Sequence, residues 1–174
     1  TDLLGAMATT AERVEGGWKL NGEKIWSSST HVADYLLVIA RSDKTVEKKH
    51  QGLTLFWVPT GTEGVKITPL AKLGMRSMGS CSIHFEDAFV ADEHVLGEPD
   101  RAWYMLLPTL NNERIMVGAF CLGVIDGVLE DALDYMKQRK AFGAPLFDMQ
   151  LTRQKLAEVA TIAHVVRSFV NDCT

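Results

Sequence analysis

The sequence predicts an α+β protein whose two kinds of structure are segregated along the chain. An antiparallel β barrel or sandwich is expected over residues 1–98, followed by a pair of long antiparallel helices over 99–174. Two observations predict it. Short strand-like segments, with turn signals about every 8 to 12 residues, fill the first part. Near Gly97-Glu98-Pro99 the apolar period then changes to about 3.6 residues.

In the β part, Gly16-Gly17 and Asn21-Gly22 read as hairpin turns. They separate segments around Arg13-Val14, Trp18–Leu20 and Lys24–Ser28. Tyr35–Ala40 and Leu53–Val58 are continuous apolar runs, the second closed by Pro59. Val65–Ile67, Ser82–Phe85 and Phe89-Val90 are further short strands. In the helical part, Leu106, Leu110, Val117, Cys121, Val124, Val128 and Met136 recur at helical spacing from about Ala102 to Lys140. Pro108 predicts a break or kink, since it lacks the N–H a helix needs. Gly118, Gly123 and Gly127 each weaken a helix by about 1 kcal/mol relative to Ala, which predicts close approach by another helix or a ligand. A second helix is expected from about Leu151 to Asp172, joined to the first by Ala141–Gln150.

Composition narrows the function. With 174 residues there is room for a real core. Net charge is −4 and no basic stripe runs along any element, which argues against nucleic acid. The charge run Lys44–His50 reads as a solvated loop. Cys81, Cys121 and Cys173 lack C-x-x-C spacing, and the five histidines lack metal-ligand spacing. Reduced thiols and no metal site are the expectation. No apolar run reaches the roughly 20 residues of a membrane span. The Thr1 start without Met and the unfinished helical pattern at Thr174 suggest an excerpt of a longer protein.

Three constellations bear on chemistry. Trp26-Ser27-Ser28-Ser29-Thr30 offers a flat ring followed by hydroxyls, although from spacing alone a core Trp before a polar loop is the simpler reading. Arg139 with Phe142, Gly143 and Gln150 is either an ordinary cation and glycine cap at a helix end or a phosphate clamp. Asn111-Asn112-Glu113-Arg114 interrupts apolar neighbours. It is either a structural ion pair or a carboxylate held in an apolar cleft, where desolvation raises its pKa.

The ordered set resembles the acyl-CoA dehydrogenase family over essentially the whole chain. It runs through the Asp2 start, Leu20–Trp26, Ala33-Asp34, Gly74–Arg76, Phe85–Asp87, Val95–Gly97, Glu113-Arg114, Arg139–Gly143 and Gln150. The resemblance implies FAD as cofactor. Trp26 would lie against the isoalloxazine, and Ser28 would meet flavin N5 where the family usually has Thr. Ser27 stands where Ile or Val is usual. Arg139 matches the arginine that binds the FAD pyrophosphate of a neighbouring subunit, with Phe142 and Gln150 on the same surface. Ala141 replaces a Thr of some members. Asn111 and Arg114 would face the acyl-CoA substrate. Glu113 matches the catalytic base of the isovaleryl and long-chain branches; other branches take the base from a C-terminal segment.

The implied reaction is α,β-dehydrogenation of an acyl-CoA to a trans-2-enoyl-CoA, with hydride transfer to flavin N5. An electron-transferring flavoprotein would be the acceptor. A homotetramer in a bacterial cytoplasm or the mitochondrial matrix is implied as well. An acyl-CoA oxidase, a flavin monooxygenase on the same scaffold, and a silent subunit of a hetero-oligomer remain alternatives.

Overall fold

Alternating burial along the strands builds a curled sheet. The computed structural model describes residue 4 and residues 6–174; the Thr1-Asp2 start lies outside them. Seven strands pair in the order β5-β6-β2-β1-β3-β4-β7. They are β1 (Thr10–Val14), β2 (Gly17–Ser28), β3 (Tyr35–Arg41), β4 (Leu53–Pro59), β5 (Val65–Pro69), β6 (Ser80–Ala91) and β7 (Val95–Leu96). All pairings are antiparallel except β1 with β3, which meet in parallel at Thr10 and Arg41. Trp18 on β2 and Phe56 on β4 have ring centroids 5.7 Å apart. Three strand spacings separate them along the order, about 14 Å in a flat sheet, so the sheet curls around its core. That core gathers Ala11, Trp18, Leu20, Val38, Phe56, Phe85 and Val90.

Two irregularities shape the β2–β6 pair. The register shifts between Leu20 and Gly22, and again between Lys24 and Ser27. The first puts an extra residue on β6 and leaves Asp87 at φ 47°. Asn21 locks it, its amide nitrogen donating to Asp87 Oδ1 and its Oδ1 accepting from the Asp87 N–H, both at 2.9 Å. Asn21-Gly22 is therefore not the expected hairpin turn. Gly22 has φ 125°, and a Cβ there would stand 2.8 Å from the Thr9 Cα. The second shift puts the extra residue on β2, at Ile25-Trp26.

The chain forms two compact units, Thr1–Leu107 and Pro108–Thr174. The boundary lies within α1 (Ala102–Gln138), whose start belongs to the first unit: Ala102 and Leu106 pack on Leu53 and Leu55. Pro108 sits inside α1, which continues without the expected break. The carbonyl left without an amide partner belongs to exposed Tyr104, where water can satisfy it. In the second unit, a short hairpin of β8 (Lys140–Ala141) and β9 (Ala144–Pro145) follows α1, and α2 (Gln150–Asp172) closes the chain.

Leu122 and Ala163 are the buried apolar residues described in the second unit, while Val117, Val124 and Val128 are exposed. Gly118 does approach α2, with Val170 Cγ2 at 3.1 Å from where its Cβ would be. Gly123 and Gly127 meet nothing within 4 Å among the described residues. Arg167 Nη2 donates to both carboxylate oxygens of Asp126, at 2.7 and 2.8 Å, and ties α2 to α1.

Candidate functional site

In the first unit, the bulge at the end of β2 aims Trp26 outward. Trp26 has φ 64° and is 61% exposed. Left-handed backbone in a bulky residue is an outlier that costs on the order of 1–3 kcal/mol and persists where the surroundings enforce it. Bulges of this kind re-aim side chains beside sites. Ser27 and Ser28 follow, paired with Cys81 and Ser80 of β6. Among the described residues neither serine hydroxyl has a hydrogen-bond partner. Ser29 is left-handed too, at φ 58°. The structure thus gives the exposed reading of this motif: an open indole beside two free hydroxyls.

In the second unit, Asn111, Asn112, Glu113 and Arg114 are all exposed on α1. The expected apolar cleft around Glu113 is not provided by the described residues; its neighbours Met116 and Val117 are exposed as well. Arg114 Nη1 donates to Asn111 Oδ1 at 2.8 Å, one turn back. Glu113 lies about 100° around the helix from Arg114 and has no ion pair or hydrogen bond from its side chain among the described residues. The structure brings Asn111 and Arg114 together and leaves the carboxylate free. An apolar cleft of about 270 Å³ lies between α1 and α2, lined by Arg114, Gly118, Val166 and Phe169 among others.

At the end of α1, Arg139 continues the helix through its N–H to the Tyr135 carbonyl at 2.8 Å. The next residues turn sharply. Phe142 (φ 53°) and Gly143 (φ 83°) form a two-residue loop with both φ angles positive, the geometry that favours Asn-Gly. Phe142 is fully exposed. The Arg139 guanidinium has no partner among the described residues, Ala141 is half-buried on β8, and Gln150 is the first residue of α2 and exposed.

Family profiles match both parts of the chain. Residues 1–88 match the acyl-CoA dehydrogenase middle domain, and residues 100–174 match the C-terminal domain of the same family. The chain belongs to the acyl-CoA dehydrogenase family. Mitochondrial isovaleryl-CoA dehydrogenase of Solanum tuberosum is 37% identical over 95% of this chain and 40% of its own length. The mitochondrial long-chain specific enzyme of Mus musculus is 32% identical over 99% of this chain and 40% of its own. The crystal structure of an acyl-CoA dehydrogenase from Geobacillus kaustophilus superposes with a TM-score of 0.93 at 28% identity, covering 96% of this chain and 44% of that one. The chain thus spans about two fifths of the length of these curated relatives.

The acyl-CoA dehydrogenase family implies a flavin, and the residues present fit one. An outward indole held in a strained backbone suits a flat ring, and the Ser27 and Ser28 hydroxyls suit its polar edge. The unpaired Arg139 suits a phosphate. The sequence alone missed Lys24, His31 and Cys81. Lys24 lies on the core side of β2 beside buried Ile83, and burial lowers its pKa to about 8. His31 and Cys81 are taken up below.

Proposed function

We propose that the protein containing this chain is an FAD-dependent acyl-CoA dehydrogenase, converting an acyl-CoA thioester to the trans-2-enoyl-CoA. The observation that carries this reading is Trp26: exposed, left-handed and followed by two unpartnered serine hydroxyls. Bound FAD supplies the two-electron acceptor for the hydride that leaves Cβ. Trp26 and Ser27 cover the ring and Ser28 addresses its polar edge. Arg139, Phe142 and Gln150 hold the pyrophosphate end of a neighbouring subunit's FAD, with Ala141 beside them on β8. On α1, Arg114 and Asn111 engage the acyl-CoA as a hydrogen-bonded pair.

Glu113 takes the α-proton onto its carboxylate. Its free oxygens support that role, as does the similarity to isovaleryl and long-chain relatives. A positioned base contributes about 10² to 10⁴ in rate. Electron-transferring flavoprotein is the proposed acceptor, and the holoenzyme is proposed as a homotetramer. The named mitochondrial relatives support a matrix location, with a bacterial cytoplasm as the counterpart.

The test is an anaerobic titration of the FAD-loaded protein with acyl-CoA thioesters of different chain lengths. Bleaching of the flavin band by one class of thioester is the expected result, and Glu113→Gln abolishes it with FAD still bound. Near-normal reduction by that variant moves the base elsewhere. A flavin that no thioester reduces refutes the reaction.

A further inference from the structure

Two left-handed residues within four positions, Trp26 and Ser29, need something to hold them. The strand ends supply part of it. The Ser29 N–H donates to the Gly79 carbonyl at 2.7 Å, and the Val32 N–H donates to the Ser29 carbonyl at 3.1 Å. Side chains add further contacts, and Thr30 Oγ1 donates to the Ser27 carbonyl at 3.5 Å. The His31 ring lies against Gly79, so close that a Cβ on Gly79 would stand 2.0 Å from His31 Cε1 and 2.6 Å from Nδ1. His31 Nδ1 and Cys81 Sγ are 3.9 Å apart and share a hydrogen bond, with the donor set by the tautomer. Cys81 is buried and is the register partner of Ser27.

One ring therefore bridges the loop after Ser28 to the strand that carries Ser27's partner. We propose that His31 is a positioning residue, a clasp that holds Trp26-Ser27-Ser28 in place by resting on Gly79 and hydrogen-bonding Cys81. The role extends the flavin reading above and rests on it. Gly79 is the residue that makes room for the ring. It is not left-handed, so alanine there is backbone-compatible and acts by displacing His31.

Two readouts test the clasp. The first is alkylation of Cys81 by iodoacetamide in the folded chain, followed by peptide mapping, with exposed Cys121 and Cys173 as internal clocks. His31→Ala and Gly79→Ala are each expected to speed Cys81 alkylation about tenfold through local opening, leave the two clocks unchanged, and add nothing to one another in the double variant. The second uses the FAD-loaded protein. The same variants lower kcat about tenfold with KM for the thioester unchanged, as expected when a reacting group is misplaced rather than substrate lost, and His31→Gln restores most of it.

Cys81 alkylation unchanged in both single variants overturns the clasp whatever the flavin does. Faster alkylation with unaltered kcat overturns the positioning role. A wild-type protein that binds no flavin or reduces none overturns the flavin reading and the positioning role together, and is told apart because it needs no variant.

Discussion

Lys24→Met should stabilise the protein at neutral pH. Lys24 shares the core side of β2 with Trp18 and Leu20, lies beside buried Ile83, and has no carboxylate partner among the described residues. Burial lowers its pKa from 10.5 to about 8. The folded state therefore disfavours the charged form. Below pH 8 the lysine is protonated in both folded and unfolded chains, and folding carries the full desolvation cost. Between about 8 and 10.5 the folded chain releases the proton while the unfolded chain keeps it, so stability rises with pH across that window. At ~1.36 kcal/mol per pH unit the gap corresponds to at most about 3.4 kcal/mol. Solvent reaching the ammonium reduces this to about 2 kcal/mol.

Methionine keeps the unbranched stem and removes the charge. Urea unfolding at pH 7 and at pH 10 checks this. The variant should gain about 2 kcal/mol at pH 7 and much less at pH 10. A variant less stable than wild type at pH 7 would refute the burial argument. So would a gain that does not shrink between the two pH values.

The other predictions are shorter. Phe142→Asn should stabilise the second unit by about 0.5–1 kcal/mol, because Phe142 buries nothing and Asn-Gly suits its turn; an FAD-loaded variant should hold its flavin less tightly, read by release on dilution. Gly64→Ala should cost more than 2 kcal/mol or so in urea unfolding, since φ is 84° and the new Cβ meets the Glu86 carbonyl oxygen at 2.1 Å. Phe56→Ala should cost about 3–5 kcal/mol by the same assay, as Phe56 is fully buried against Trp18. Arg167→Ala should cost at most about 1 kcal/mol, and the effect should fade in 1 M salt, because both partners of the pair with Asp126 are more than 40% exposed.

Much of the β unit was legible in its residues. Tyr35–Ala40 and Leu53–Val58 emerge as β3 and β4 with one residue added at an end. Apolar runs bounded by turn residues carry that signal. Asn21-Gly22 misled because the pair favours hairpin turns, whereas here it lies inside β2, where Gly22 passes close to Thr9. Nothing in residue type reveals that Trp26 is left-handed; that is set by the register with β6, a nonlocal property. The β8–β9 hairpin has two-residue strands, too short for any period to show. In the second unit the helical spacing was right and the burial was not. Val117, Val124 and Val128 repeat as a core stripe would, yet periodicity tells which residues share a face and not what covers it. The family was legible in the ordered set of motifs, while the His31–Cys81 contact joins residues fifty positions apart and left no trace in spacing.

The left-handed backbone at Trp26 sets two selective pressures against each other. For the scaffold alone, glycine and asparagine are the residues that accept that conformation most readily. Tryptophan does not answer the scaffold's pressure, and on the proposed flavin reading it answers the ligand's. A randomised library at this position, selected only for soluble folded chain, should therefore enrich glycine and asparagine over alanine and valine, although valine ordinarily prospers in strands. The same library selected for flavin retention should return aromatic rings. The divergence between the two outcomes would read the site's function out of a single codon.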